Sequence, residues 1–221
     1  MRPRLNLRAR HAATALGALC LAVSLAALPG TARSDGTPAG RGAVAADIAP
    51  GKSRLDVLAG RQASVRGRVL SGAAGRAVVL QRHSGQRWST IDHATTRAGG
   101  GFGFAFRPQQ SGSARLRVVV DAARREIGRL NVYRHAAVSW YGPGLYGNKL
   151  SCGGRLTPGT LGVAHKTLPC GTRVTLRRGG HVIRVRVVDR GPYVGGREFD
   201  LTSATRAKLH FGGVGSLLVA S

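Results

Sequence analysis

Acidic residues are the scarce class in this sequence. Nine Asp and Glu stand against 34 Lys and Arg among 221 residues, a formal net charge of +25. From residue 136 onward the only carboxylates are Asp189, Glu198 and Asp200, all within VVDRGPYVGGREFDLT, residues 187–202. Any carboxylate chemistry in that part of the chain must run on these three side chains. Cysteine is scarce too, with Cys20, Cys152 and Cys170. A metal site built on Cys152, Cys170 and His165 has only three candidate ligands at irregular spacing, so it stands as the weaker reading of those cysteines. No complete phosphate-binding loop pattern occurs, and past the N-terminal segment no apolar stretch is long enough to span a membrane. Nothing in the pattern implies a cofactor.

The N-terminus carries a recognisable layout. Arg2, Arg4, Arg8 and Arg10 precede an apolar run from about Ala12 to Leu28, and small Gly30 and Ala32 follow at a spacing of two. Residues 1–32 therefore read as a secretory signal cleaved after Ala32, with a retained anchor as the alternative. Cys20 lies inside the run, where a lipid-modified cysteine would normally end it. Removal of the signal leaves Cys152 and Cys170, an even pair that reads as a disulfide in an exported protein. It also leaves a net charge of about +21, once those four arginines are gone. Such a surface fits nucleic acid or an anionic envelope polymer. Export favours the polymer, and no nucleic-acid recognition motif is present. Plain compositional bias toward arginine is the bland alternative.

Residues 33–53 are small, polar and marked by Gly and Pro, and read as a linker. From 54 to 134, ASVRGRVL, AVVLQRH, WSTIDHA, GFGFAF, ARLRVVV and IGRLNVY alternate apolar and polar side chains between Gly/Ser-rich breaks. Ala63, Val65 and Val69 share one side of their strand, and Phe102, Phe104 and Phe106 share one side of theirs. This predicts an antiparallel β-sandwich, similar to bacterial immunoglobulin-like or carboxypeptidase-regulatory-like modules. Its His83, Asp92 and His93 form no convergent set. From 136 to 221, AAVSWY, TRVTLRR, HVIRVRVVD, EFDL and SLLVA read as strands. SATRAKLH reads as a short helix capped by Thr202 or Ser203. The chain as a whole is predicted to be all-β with one short helix.

GPGLYG, residues 142–147, satisfies the dinucleotide pattern G-x-G-x-x-G. It cannot open a helix, because NKLSCGGRLTPGT follows, so the match is rejected. The acids are more promising. Asp200 lies between Phe199 and Leu201 and should point away from the core if those two face it. Asp189 ends an apolar strand and begins the turn DRGP, so it reads either as a site acid or as a turn cap paired with Arg190. His165 reads as a site residue or as a hydrogen-bonded structural histidine. Glu198 is expected on the side opposite Asp200 and solvated. Trp140, Tyr141, Tyr146 and Tyr193 can form a sugar-stacking face or contribute to the core. Ordinary glycosidases use two carboxylates, but a substrate that supplies its own nucleophile needs one.

SWYG, AHKTLPCGT, VDRGPY and FDLT occur in order between about 139 and 220, and together they resemble the rare lipoprotein A (RlpA) family. The resemblance implies a six-stranded double-psi β-barrel over residues 136–221. It also implies septal or cell-wall lytic transglycosylase activity on peptidoglycan, with non-catalytic expansin-like wall binding as the alternative. Asp200 matches the acid shared by related barrels, and His165 and Asp189 match polar positions of the family. The implied mechanism has Asp200 protonate the glycosidic oxygen, and Asp200 or His165 receive the proton of the muramoyl 6-hydroxyl. Trp140, Tyr141, Tyr146, Tyr193 and Arg190 are the expected substrate-binding residues. Gly154 and Thr157 depart from the family, many members of which carry carboxylates there.

Overall fold

The structure, a computed structural model, describes residues 47–221. The expected signal, residues 1–32, and residues 33–46 of the expected linker lie outside the described residues. No helix among the described residues is long and apolar enough to cross a membrane. In chain order the strands are β1 (Ile48–Pro50), β2 (Asp56–Leu58), β3 (Ala63–Val69), β4 (Ala77–Ser84), β5 (Arg87–Thr95), β6 (Gly101–Phe106), β7 (Gly112–Val120), β8 (Ala123–Tyr141), β9 (Val163–His165), β10 (Arg173–Arg178), β11 (His181–Asp189) and β12 (Phe199–Thr202). The helix α1 (Ser203–Lys208) and strand β13 (Gly215–Ala220) complete the chain. The described residues are all-β apart from this helix and one turn of 3₁₀ helix at Ala98–Gly100.

The first half consists of two sheets around one core. One sheet has the order β1-β3-β6; the other runs β8-β7-β4-β5, with β2 parallel to β8. The period of two explains the packing. Ala63, Val65 and Val69 are buried while Arg66 and Arg68 are exposed. Phe102 and Phe104 enter the same core, with Val78, Leu80, Leu116 and Val118 from the facing sheet. Gly67 makes room for them: a Cβ there would lie 2.4 Å from Phe102 Cζ. Strand β1 forms inside the stretch read as linker, pairing Ile48 with Val69 and Ala49 with Arg68. A three-residue strand shows too little alternation to stand out from a linker.

The second half is a closed ring of six strands. Its order is β8-β13-β10-β11-β9-β12, and β12 returns to pair with β8. The β8–β12 and β9–β11 pairs are parallel and the other four antiparallel. Val138, Val163, Val174, Leu176, Val187, Phe199, Leu201 and Val219 fill it. Thr202 is the N-cap of α1. Its hydroxyl and that of Thr205 hold both the N–H and the C=O of Gly162. At Gly162 a Cβ would lie 2.4 Å from Val188 Cγ2 on β11, so the close approach of that side chain requires glycine here.

The two halves share a strand. IGRLNVY and AAVSWY, which read as separate strands, are both part of the 19-residue β8. Arg134 and His135 lie between them and carry no turn signal, so the backbone stays extended. Leu130 and Val132 enter the first core, and Ala136 and Val138 the second. Tyr133, at the changeover, is buried and donates to Asp56 Oδ1 on β2 at 3.0 Å.

Candidate active site

The parallel pairings bring distant residues onto one face. On β9, Ala164 is the register partner of Asp189 on β11 and of Asp200 on β12. The two carboxylates therefore flank one methyl group across three neighbouring strands. Adjacent strands lie about 4.8 Å apart, so each acid sits one strand spacing from Ala164. A bulge between Val187 and Asp189 re-aims the end of β11. Together with Tyr141, Leu145, Pro192 and Tyr193, these residues line a shallow cleft of about 200 Å³.

Each member is held differently. Phe199 and Leu201 are fully buried, which turns Asp200 outward as the alternation predicts. The hydroxyl of Ser139, its register partner on β8, donates to Asp200 Oδ1. Among the described residues, no donor reaches Oδ2. Asp189 Oδ1 accepts the backbone N–H of Arg190 at 2.8 Å and of Ser151 at 2.9 Å. Asp189 thus serves as a turn cap and lines the cleft as well. Tyr141 lines the cleft beside Asp189. Its hydroxyl is buried and without a partner among the described residues. Burial, then the charge of Asp189, pushes its pKa far above the ordinary phenol value.

His165 lies elsewhere. It follows Ala164 and so faces the other side of β9, tilted against Phe199 with ring centroids 4.6 Å apart. Its Nδ1 accepts from the N–H groups of Thr167 and Leu168, and Nε2 lies 3.7 Å from Glu198 Oε1. Burial holds its pKa below the ordinary histidine value, against the pull of Glu198. Glu198 is not a solvated side chain as expected. Arg134 pairs with both of its oxygens, and these bonds hold its pKa below the carboxylate range. The long β8 explains the difference: it carries Arg134 to a position that a strand ending at Tyr133 would not reach. His165, Glu198 and Arg134 form a cluster outside the carboxylate cleft.

Cys152 and Cys170 form a disulfide with a Cα–Cα distance of 5.4 Å. Both sulfurs are consumed, which closes the metal reading for that pair. Among the described residues, no three His, Cys, Asp or Glu converge as a metal cage. The guanidinium of Arg190 donates to the carbonyls of His165 and Leu168 and to Cys170 Sγ. It ties the disulfide loop to the end of β11 and does not pair with the Asp189 carboxylate. Of the expected aromatic face, Tyr141 and Tyr193 line the cleft, and Tyr193 is 81% exposed. Tyr146 bonds Ser203 Oγ at 2.8 Å. Trp140 packs against the core with Arg206 stacked over it at 4.1 Å. Ser139 was not among the sequence candidates. Its only signal was its place inside SWYG, and its role depends on the parallel pairing. Gly154 and Thr157 do not line this cleft.

Comparison with known proteins supplies a frame for this geometry. Residues 135–220 match a family model described as lytic transglycolase. A probable endolytic peptidoglycan transglycosylase RlpA from Synechocystis is 41% identical over 113 residues, which cover 45% of this chain and 35% of that protein. Endolytic peptidoglycan transglycosylases RlpA from Campylobacter jejuni and Neisseria meningitidis serogroup A are 42% and 44% identical over 73 and 75 residues. Those matches cover 32% and 33% of this chain, and 26% and 31% of the relatives. The matched part thus spans about a third or less of each relative's length.

Proposed function

We propose that this chain, whose residues 135–220 belong to the RlpA-like double-psi β-barrel family, is an extracytoplasmic lytic transglycosylase acting on peptidoglycan glycan strands. The observation that carries the proposal is the shared register of Asp189, Ala164 and Asp200 beneath an open cleft. The barrel spans residues 136–221, and residues 54–134 form an immunoglobulin-like module that β1 extends toward the N-terminus.

In this reading Asp200 Oδ2 gives its proton to the glycosidic oxygen as the bond to the anomeric carbon breaks. The muramoyl 6-hydroxyl closes on that carbon, and its proton returns to Asp200, leaving a 1,6-anhydro end. One carboxyl serves in both directions, and no external water or second acid is consumed. Ser139 fixes the Asp200 rotamer through Oδ1. Asp189, immobilised by two backbone N–H groups, faces the positive charge that develops on the sugar ring. The Tyr141 ring forms part of the cleft wall beside Asp189. Tyr193 offers an exposed ring on which a sugar can stack. His165 faces away, so it positions the β9–β12 edge through Glu198 and Phe199 rather than relaying the proton.

A second reading, expansin-like wall binding without cleavage, is favoured by the missing carboxylates at Gly154 and Thr157. Mass spectrometry of purified sacculi after incubation with the mature protein separates the two. Anhydro-muropeptides are expected. Intact glycan with tight pelleting would overturn the enzyme and leave the binding module.

A further inference from the structure

A cluster of arginines lies away from the carboxylate cleft, where the two cores meet. Arg115 and Arg129 are register partners on β7 and β8. On the barrel, Arg184 is the partner of Thr175, and Arg173 lies two residues along the same strand. The four arginines line one cleft of about 450 Å³, with His83 at its rim. Ser113 also lines it, and Ser113 Oγ lies 3.0 Å from Thr175 Oγ1, a direct bond between the halves. Like charges set directly opposite on neighbouring strands are destabilising, so this arrangement costs the free protein something. Only Arg115 is paired, with Glu126 at 3.0 Å. Among the described residues, no carboxylate lies within 4.0 Å of Arg129, Arg173 or Arg184. Burial, then the charges of Arg129 and Arg173, depresses the pKa of Arg184. An anion bound here would relieve that repulsion.

We propose that this junction cleft is a binding site for a chain of phosphodiesters, such as a polyol-phosphate polymer of the cell wall. The guanidinium fork matches phosphate oxygens in pairs, and the three unpaired forks of Arg129, Arg173 and Arg184, drawn from both halves, can track successive phosphates along a strand. A nucleic acid would also need faces on which bases stack. The nearby aromatic rings, His83 and Trp88, pack edge to face on one another at 5.0 Å, and Arg117 covers Trp88 at 4.2 Å. The wall polymer as source rests on the peptidoglycan reading above; the phosphodiester chemistry does not. The site would hold the barrel's carboxylate cleft close to the wall between turnovers.

Two triple variants of the full mature chain test this, each losing three charges. Arg129→Gln/Arg173→Gln/Arg184→Gln alters the cleft, and Arg66→Gln/Arg68→Gln/Arg125→Gln removes exposed arginines outside it. Both are titrated with soluble poly(glycerol phosphate), with single-stranded DNA, and with sacculi before and after acid removal of phosphate polymers. The cleft variant should lose at least about tenfold in affinity for poly(glycerol phosphate), the worth of one charged hydrogen bond or more. The surface variant should lose much less, and both should bind stripped sacculi equally. Equal losses in the two variants would overturn the site in favour of diffuse charge. So would the absence of polymer binding by the parental chain, or tighter parental binding to DNA than to the polymer. Cleft-dependent polymer binding without any sacculus binding would retain the site and sink the wall reading instead.

Discussion

The two halves of this protein are made of the same material and do different things with it. Both are alternating strands around one apolar core, and both are rich in arginine. In the first half, most neighbouring strands are antiparallel and close in sequence, such as β4–β5 and β7–β8. Such pairs bring together residues that were already neighbours, and the acids stay scattered. Asp121 pairs with Arg76, and Glu126 with Arg115, both at partly exposed positions. In the second half, the parallel pairs β8–β12 and β9–β11, joined by the antiparallel β9–β12 pair, set residues 139, 141, 164, 189 and 200 side by side. Crossed, long-range pairing is what gathers polar groups onto one face. A small barrel with three carboxylates can therefore build a cleft that a larger number of acids in the first half does not.

The contrast can be tested most strongly through the disulfide. Only the barrel has one, and removing a native disulfide from a small secreted domain typically costs about 2 to 5 kcal/mol. The two tryptophans provide separate reporters, Trp88 in the first half and Trp140 in the second. In Trp88→Phe protein, reduction should shift the Trp140 unfolding midpoint well below that seen for Trp88 in Trp140→Phe protein. Coincident transitions would mean that the shared β8 makes the halves one cooperative unit.

Next in size is the loss of chemistry. Asp200→Asn should lower glycan cleavage by at least about 10²-fold, the low end for general acid catalysis. Fold and sacculus binding should survive. Asp92→Asn, in the first half, should leave cleavage unchanged. A folded Asp200→Asn protein that cleaves at the parental rate would move the acid role to Asp189.

Acid should weaken the barrel in two stages. His165 is partly buried and holds its proton less readily than in the unfolded chain, so its contribution is full above the ordinary value of about 6.5 and is lost as pH falls through its folded pKa. Glu198 is also depressed, chiefly by Arg134. Its contribution is present above about 4.3 and is lost as pH falls through its folded value. Glu198→Gln should remove the second stage. It should also lower the His165 pKa further, since the carboxylate was raising it. An NMR titration of the His165 ring reads that directly, and an unchanged pKa would break the assigned pairing.

The smallest effect is expected at the surface of the first half. Glu126→Gln removes an exposed pair with Arg115, worth about 0 to 1 kcal/mol. Thr202→Ala, at the buried helix cap, should cost about 1 to 2 kcal/mol. A chemical denaturation series on both variants ranks them, and the reverse order would mean the cap network is slack.

Much of this was legible in the sequence. Period-two patterning located β3 to β7 and β10 to β13 because one face of each meets a core and the other meets water. A cap at Thr202 or Ser203 followed from a hydroxyl beside a short helical run, and the structure selects Thr202. Asp200 was aimed correctly because Phe199 and Leu201 bracket it. Local chemistry sufficed in these cases, since each depends on residues next to one another in the chain. Strands β1, β2 and β9 are three residues each and lack a period to read. Whether β8 breaks or continues at Arg134 depended on two cores competing for one strand. The pairing of Glu198 with Arg134, the separation of His165 from Asp200, and the four-arginine junction all join residues far apart in sequence. Register and ring closure brought them together, because hydrogen bonding between strands fixes which side chains share a face, and no local pattern encodes a partner 60 residues away.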